Sequence, residues 1–124
     1  MDKLNILLAA SEVVPFAKSG GLADVSGALP KALRALGHDV RVVMPRYYIV
    51  EKEKYGLKEL EGSLGVPMGS MGEAWASIFE GLLPGSDVPV YFIEHEGFFG
   101  RKGLYDEEGK GYDDNDNRFI FFAK

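Results

Sequence analysis

With 124 residues, a net charge of −5 and 46% hydrophobic residues, the chain has the size and composition of one globular domain at most. The negative charge argues against broad binding to nucleic acid or anionic membranes, and the absence of cysteine excludes disulfides, thiolate metal sites and cysteine nucleophiles. No apolar run is long enough to cross a membrane, and the N-terminus lacks the regions of a signal peptide. We therefore expect a cytoplasmic protein with no membrane or nucleic-acid partner.

The first forty residues predict a strand, a glycine turn and a helix. Residues 4–10 are almost continuously apolar, which is typical of a parallel strand buried on both faces. Gly37 is the expected end of the helix. Pro30 either kinks one continuous helix, which the unbroken apolar phase favours, or begins a second one. The helix face predicted to cover the sheet carries apolar side chains at intervals of three and four residues: Leu22, Val25, Leu29, Leu33 and Leu36.

The remaining elements extend this unit into an α/β fold. Residues 39–44 form the second strand, and residues 64–68 and 74–83 predict a hairpin because glycines separate two β-like runs. Residues 88–93 predict a further buried strand, and we expect Trp75 and Phe79 to lie in the core. The predicted fold is a Rossmann-like parallel sheet with an added β-hairpin.

The turn at residues 18–22, with the sequence KSGGL, is the candidate ligand site. The first backbone N–H groups of a helix have no internal partner, and the helix dipole makes that end attract anions, phosphate above all. Gly20 and Gly21 allow a ligand to approach the backbone closely, and Lys18 supplies a cation for a charge-assisted hydrogen bond. Alternatively, the glycines form only a turn and Lys18 is solvated, since neither common phosphate-binding glycine motif is present.

Other polar residues follow the predicted strands at the edge where open α/β sheets bind ligands. Ser11 and Glu12 follow the first strand, Arg46 the second, and residues 94–96 the last; His95 is more typically a solvated loop residue. Residues 97–117 mix aromatic and acidic side chains, which suits either sugar rings or a surface loop anchored by its aromatics. The acidic run at its end lacks the glycine and glutamate of a calcium loop, so we expect no metal site there and a helix beginning near residue 116.

Residues 6–30, which include the KSGGL turn, closely resemble the N-terminus of bacterial glycogen synthases and plant starch synthases. Members of that family carry K-[TS]-G-G-L at this place. The resemblance covers most of the chain, and its further segments are residues 36–47, 88–93, 103–105 and 114–119.

The resemblance implies an enzyme that transfers glucose from ADP-glucose to the non-reducing end of an α-1,4-glucan with retention, without a metal ion or other cofactor. It implies a two-domain GT-B architecture, in which residues 1–124 are the N-terminal part of the catalytic domain. In the family the lysine of the motif contacts the donor phosphates, which makes Lys18, Gly20 and Gly21 the first candidates for substrate binding. Further residues match family positions and are expected to line the cleft, while no catalytic residue is assigned: Glu12, Asp24, Tyr105, Asn115 and Arg118.

The C-terminal residues 118–124 begin an apolar helix and carry no stop signal, which predicts a chain cut inside an element. We therefore expect the 124 residues to lack synthase activity by themselves. Exposed aromatic side chains there would favour self-association, namely those of Phe119, Phe121 and Phe122.

Two other functions stay open: a non-catalytic module that binds a nucleotide sugar or phosphate, and another GT-B transferase with a different donor.

Overall fold

The main element of the computed structural model, which describes residues 2–124, is a six-stranded mixed sheet. Its strands are β1 (Asn5–Ala9), β2 (Asp39–Pro45), β3 (Lys58–Glu59), β4 (Leu64–Pro67), β5 (Glu73–Leu82) and β6 (Pro89–Glu94). Their order in the sheet is β1-β2-β6-β5-β3, with β4 beside β5. Strands β1, β2 and β6 are parallel, whereas β5 runs antiparallel to β6, β3 and β4. The predicted parallel sheet with an added hairpin is confirmed.

Three α-helices accompany the sheet in residues 2–124, and the first connects the first two strands as predicted. Helix α1 runs without interruption through Pro30, as the apolar phase predicted, and Gly37 follows it with a φ of +96°, a conformation that favours glycine. None of the helices in residues 2–124 is long and apolar enough to span a membrane. The helices are α1 (Gly21–Ala35), α2 (Glu96–Phe99) and α3 (Asn115–Ala123), and a small hairpin of β7 (Asp106–Glu107) and β8 (Lys110–Gly111) lies between the last two.

The predicted buried face of α1 is wrong. The residues Ala23, Ser26 and Pro30 are buried instead, while the predicted leucine and valine positions are exposed apart from a half-buried Leu33. The small side chains recur at helical spacing too, and they let the segment after β1 approach the helix closely: the Val14 amide donates to the Ala23 carbonyl at 3.0 Å. Among residues 2–124, the buried face of α1 is the one that the segment after β1 approaches closely.

Replacement of Gly27 by Ala tests this close approach. A Cβ atom at position 27 would lie 2.8 Å from the Val14 carbonyl oxygen, a backbone atom that cannot rotate away. We expect Gly27→Ala to lower the free energy of unfolding by about 1–3 kcal/mol, although alanine favours helix by about 1 kcal/mol. Urea unfolding checks it, with Gly21→Ala as control because no atom lies within 4 Å of its Cβ position. Equal stability of Gly27→Ala and the wild type would contradict the packing.

Burial of β1 on both faces is also wrong. Its side chains alternate, and Leu7 is 64% exposed because one face of the sheet is open among the described residues. That face forms an apolar groove of about 490 Å³ across β1, β2 and β6. The opposite face carries fully buried side chains of the core: Val40, Val42, Met44, Val90 and Phe92.

The C-terminal aromatic residues do not form the expected exposed patch. Phe121 is buried and packs against Phe98 and His95 with ring centroids 5.3 and 5.1 Å apart, and Phe119 and Phe122 are half-buried. Helix α3 folds back onto α2, so the surface expected to drive self-association is largely absent.

Candidate anion-binding site

The carboxylate of Glu12 organises the turn between β1 and α1. Glu12 is only 3% exposed. One oxygen accepts the Ser19 amide at 3.3 Å and the Gly20 amide at 3.0 Å. The other oxygen accepts the Ser19 hydroxyl at 2.6 Å and the Tyr105 hydroxyl at 2.7 Å. Three of the four donors belong to the glycine turn, so Glu12 holds the turn in one conformation.

These donors keep Glu12 ionised. Burial by itself raises the pKa of the carboxyl, but the hydrogen bonds from the Ser19 hydroxyl, the Tyr105 hydroxyl and the two amides outweigh it and lower the pKa from an ordinary 4.5 to about 2. The buried charge is thus compensated by hydrogen bonds rather than by a cation.

Tyr105 connects the distant loop to the end of β1. Its hydroxyl lies 2.7 Å from the Ser11 hydroxyl, and the Ser11 carbonyl accepts the Tyr47 hydroxyl at 2.6 Å. Burial, more than any other cause, raises the pKa of the Tyr105 hydroxyl, so that it stays protonated and can donate to Glu12. The segment that follows β1 and the loop that carries Tyr105 are therefore fixed to each other.

Arg118 does not line a cleft, which corrects the expectation from the resemblance. Its side chain is fully buried and donates to the Phe98 carbonyl, to the Leu104 carbonyl at 2.9 Å and to the Asn115 side chain at 2.7 Å. Asn115 in turn donates to the Tyr105 carbonyl at 2.9 Å. Arg118 and Asn115 hold the loop that carries Tyr105 and act on the turn only through it.

Lys18 and Asp24 lie at the surface beside the turn. The Lys18 Nζ atom is 2.9 Å from both carboxylate oxygens of Asp24, and both side chains are exposed. An exposed pair of this kind contributes only about 0–1 kcal/mol, so an incoming anion can take Lys18 from Asp24 at little cost.

The start of α1 presents its backbone to the same surface. Gly20 and Gly21 are exposed, and their Cβ positions have no atom within 4 Å. Because Glu12 already binds the Gly20 amide, the amides left for an anion begin at Gly21, where the helix offers no backbone acceptor. The Gly20 amide is thus already bound within the chain, and the substrate-binding role expected of Gly20 stays a prediction.

The other polar residues at this edge pair among themselves. The Oε2 atom of Glu94 lies 3.7 Å from the Nη1 atom of Arg46 and 2.6 Å from the Nζ atom of Lys52. The Nδ1 atom of His95 accepts the Phe98 amide at 3.1 Å, so this histidine caps α2. The part of the chain that the structure describes has no group of three His, Asp or Glu side chains placed to hold a metal ion.

Comparison with known proteins identifies the family. The sequence model of the starch synthase catalytic domain matches residues 5–124. The chain belongs to this family. It is 63% identical to Glycogen synthase 1 of Geobacter metallireducens over 124 residues, which cover 100% of the chain and 25% of that protein. It is 52% identical to Glycogen synthase of Syntrophotalea carbinolica, with 98% of the chain and 24% of that protein covered.

A solved structure shares the fold. The catalytic domain of starch synthase IV from Arabidopsis thaliana, bound to ADP and acarbose, superposes with a TM-score of 0.82 at 31% identity. The match covers 98% of this chain and 24% of that one. The chain therefore has the fold of one part of the GT-B catalytic domain, and it spans about a quarter of the length of its relatives.

Proposed function

We propose that residues 1–124 are the N-terminal part of the catalytic domain of a cytoplasmic synthase that transfers glucose from ADP-glucose to the non-reducing end of an α-1,4-glucan with retention. The observation that carries the proposal is the position of Lys18 at the exposed N-terminus of α1, beside a turn held by Glu12. The names of the relatives support the reaction, and the ADP and acarbose of the Arabidopsis structure support the two ligands.

The proposed task of the turn is to bind the donor diphosphate. Negative charge develops on the departing diphosphate as the glycosidic bond breaks, and the Lys18 ammonium and the first amides of α1 stabilise that charge. Glu12 is not a proposed ligand, because four hydrogen bonds use its two oxygens and the side chain is only 3% exposed. Glu12, Tyr105, Asn115 and Arg118 are positioning residues in this scheme.

Replacement of Lys18 by Ala is expected to lower the affinity of the 124-residue chain for ADP about tenfold, the effect of one charge-assisted hydrogen bond. Stability should change by less than about 0.5 kcal/mol, because the pair with Asp24 is exposed. NMR shift perturbation with ADP checks both the affinity and the place of binding at the Gly21 and Leu22 amides. Lys31→Ala, on an exposed position of the same helix, is the control.

If the shifts at these amides persist unchanged in Lys18→Ala, Lys18 does not bind the phosphates of ADP. The absence of any shift in the folded chain would mean that the turn binds no donor phosphate on its own.

A chimera tests the whole reaction. In Glycogen synthase 1 of Geobacter metallireducens, the residues that align with this chain are replaced by residues 1–124. We expect the chimera to extend an α-glucan from ADP-glucose, Lys18→Ala to lower its kcat about 100-fold, and the 124 residues alone to be inactive. A folded but inactive chimera would favour a non-catalytic binding module. Transfer only from another nucleotide sugar to a non-glucan acceptor would favour a different GT-B transferase.

A further inference from the structure

Trp75 is the only tryptophan of the chain, and the structure leaves it 59% exposed rather than in the core as its residue type predicted. It lies on β5, where its partner across the hairpin is Gly65 on β4. A tryptophan side chain buries the largest area of any residue when it packs into a core. Residues 2–124 leave more than half of the Trp75 surface uncovered.

Gly65 provides a seat for the indole ring. A Cβ atom at position 65 would lie 2.8, 2.9 and 3.1 Å from the Cη2, Cζ3 and Cζ2 atoms of Trp75. Three adjacent ring carbons at nearly equal distances mean that the ring lies face-on over the glycine. Gly65 does not have a positive φ, so its backbone conformation does not require glycine there. One face of the indole is thus fixed against the strand, and the opposite face is turned to solvent.

The topology places this ring at the ligand-binding edge of the sheet. Ser77 of β5 pairs with Glu94, the last residue of the parallel strand β6. Trp75 lies two residues beyond that pair, so the β4–β5 hairpin projects from the carboxyl ends of the parallel strands. Glu12 follows β1 at the same edge, and open α/β sheets bind their ligands there.

The chemistry around the ring favours a neutral sugar. Glu73 and Ser77 flank Trp75 on the same side of β5, because alternate residues of a strand share a face. A glucose ring offers an apolar face for stacking and a rim of hydroxyl groups for a carboxylate and a hydroxyl. The Glu73 carboxylate beside the ring opposes a ligand that carries phosphate at this place.

We propose that the exposed face of Trp75 binds a glucose unit of an α-1,4-glucan and holds the polymer at the edge where transfer takes place. The proposal rests on the proposed function, because that function supplies the glucan. It adds a binding site on the β4–β5 hairpin that is separate from the Lys18 turn.

Fluorescence of the single tryptophan tests this site in the 124-residue chain. Titration with maltoheptaose is expected to change the emission saturably, and Trp75→Ala is expected to lower the affinity for immobilised glycogen about tenfold. Gly65→Ala retains the indole but displaces it from its seat, so it should weaken binding severalfold while the fluorophore remains. Tyr48→Ala, which removes an equally exposed aromatic ring, should leave binding unchanged.

Unchanged emission with maltoheptaose, or glycogen affinity that is equal in Trp75→Ala and the wild type, would overturn the proposal. Emission that instead changes with protein concentration, together with dimers in sedimentation, would assign the ring to contact with a second copy and would also overturn it. The same variants in the Geobacter chimera separate the two hypotheses. If the chimera extends glucan and its glycogen affinity is the same with and without Trp75→Ala, only the Trp75 site is refuted. If the chimera uses no glucan, the proposed function is refuted.

Discussion

Replacement of Glu12 by Gln is expected to lower the free energy of unfolding by about 2–3 kcal/mol at pH 7. The side chain is buried and accepts four hydrogen bonds, two of them from the Ser19 and Gly20 amides. A glutamine amide has one acceptor oxygen, so two of the four bonds to the carboxylate are lost or replaced by weaker bonds from the NH₂ group to hydroxyl oxygens. Urea unfolding measures the difference, with Glu61→Gln at an exposed position as the control.

The pH dependence of stability gives an independent check of the same carboxylate. Its pKa is about 2 in the folded chain against an ordinary 4.5, so the folded state binds this proton more weakly than the unfolded state does. The contribution is therefore complete above about pH 5 and is lost as the pH falls towards 2. The stability difference between wild type and Glu12→Gln should shrink over this range. A constant difference, or none at pH 7, would contradict the assigned hydrogen bonds.

Loss of Glu12 should also weaken ADP binding, although the carboxylate is not a proposed ligand. The Ser19 and Gly20 amides are released, and the turn that places Lys18 is no longer held in one conformation. In Glu12→Gln we expect both stability and ADP affinity to fall, whereas in Lys18→Ala only ADP affinity should fall. The two variants therefore distinguish a residue that positions the turn from one that contacts the ligand.

The order of the main elements was predictable because each of them has a local signal, whereas β3, α2, β7 and β8 were not predicted. Apolar runs gave β1, β2 and β6, glycines gave the hairpin, and Gly37 marked the end of α1. The buried face of α1 was not predictable in this way. Periodicity in apolar side chains does not show where the backbone of another segment must approach, and the face of Ala23, Ser26 and Gly27 is the one that the segment after β1 approaches closely.

The candidate site was predictable only in part. The KSGGL turn follows from helix-end electrostatics, and the family resemblance added Glu12, Tyr105 and Arg118. Their arrangement has no local signal: the Glu12–Tyr105 bond joins residues 93 positions apart. Burial of Arg118 contradicts the habit of its residue type, since arginine is almost never fully buried without partners. Three acceptors that come together only in the folded chain bind its Nε and Nη1 atoms, while Nη2 is buried without a hydrogen-bond partner among the described residues.

Replacement of Arg118 by Ala is expected to cost about 3–5 kcal/mol, because it removes three hydrogen bonds from a cation and leaves a cavity. Arg118→Met should cost about half as much. The methionine refills most of the volume and relieves the burial of a charge, which already lowers the pKa of the guanidinium, but the Phe98 and Leu104 carbonyls stay without a donor. Urea unfolding of both variants measures the ranking.

Arg101 supplies the matched control. Its guanidinium pairs with Asp114 at 2.6 Å but is partly exposed, so Arg101→Met should cost only about 1 kcal/mol. The two arginines also differ in their connection to the turn. Arg118 holds the loop that carries Tyr105, and the Tyr105 hydroxyl helps to keep the Glu12 carboxylate in place. Because that carboxylate binds the Gly20 amide, we expect Arg118→Met to accelerate hydrogen exchange at this amide. Unaltered exchange at Gly20 in a destabilised Arg118→Met variant would confine Arg118 to the stability of the fold.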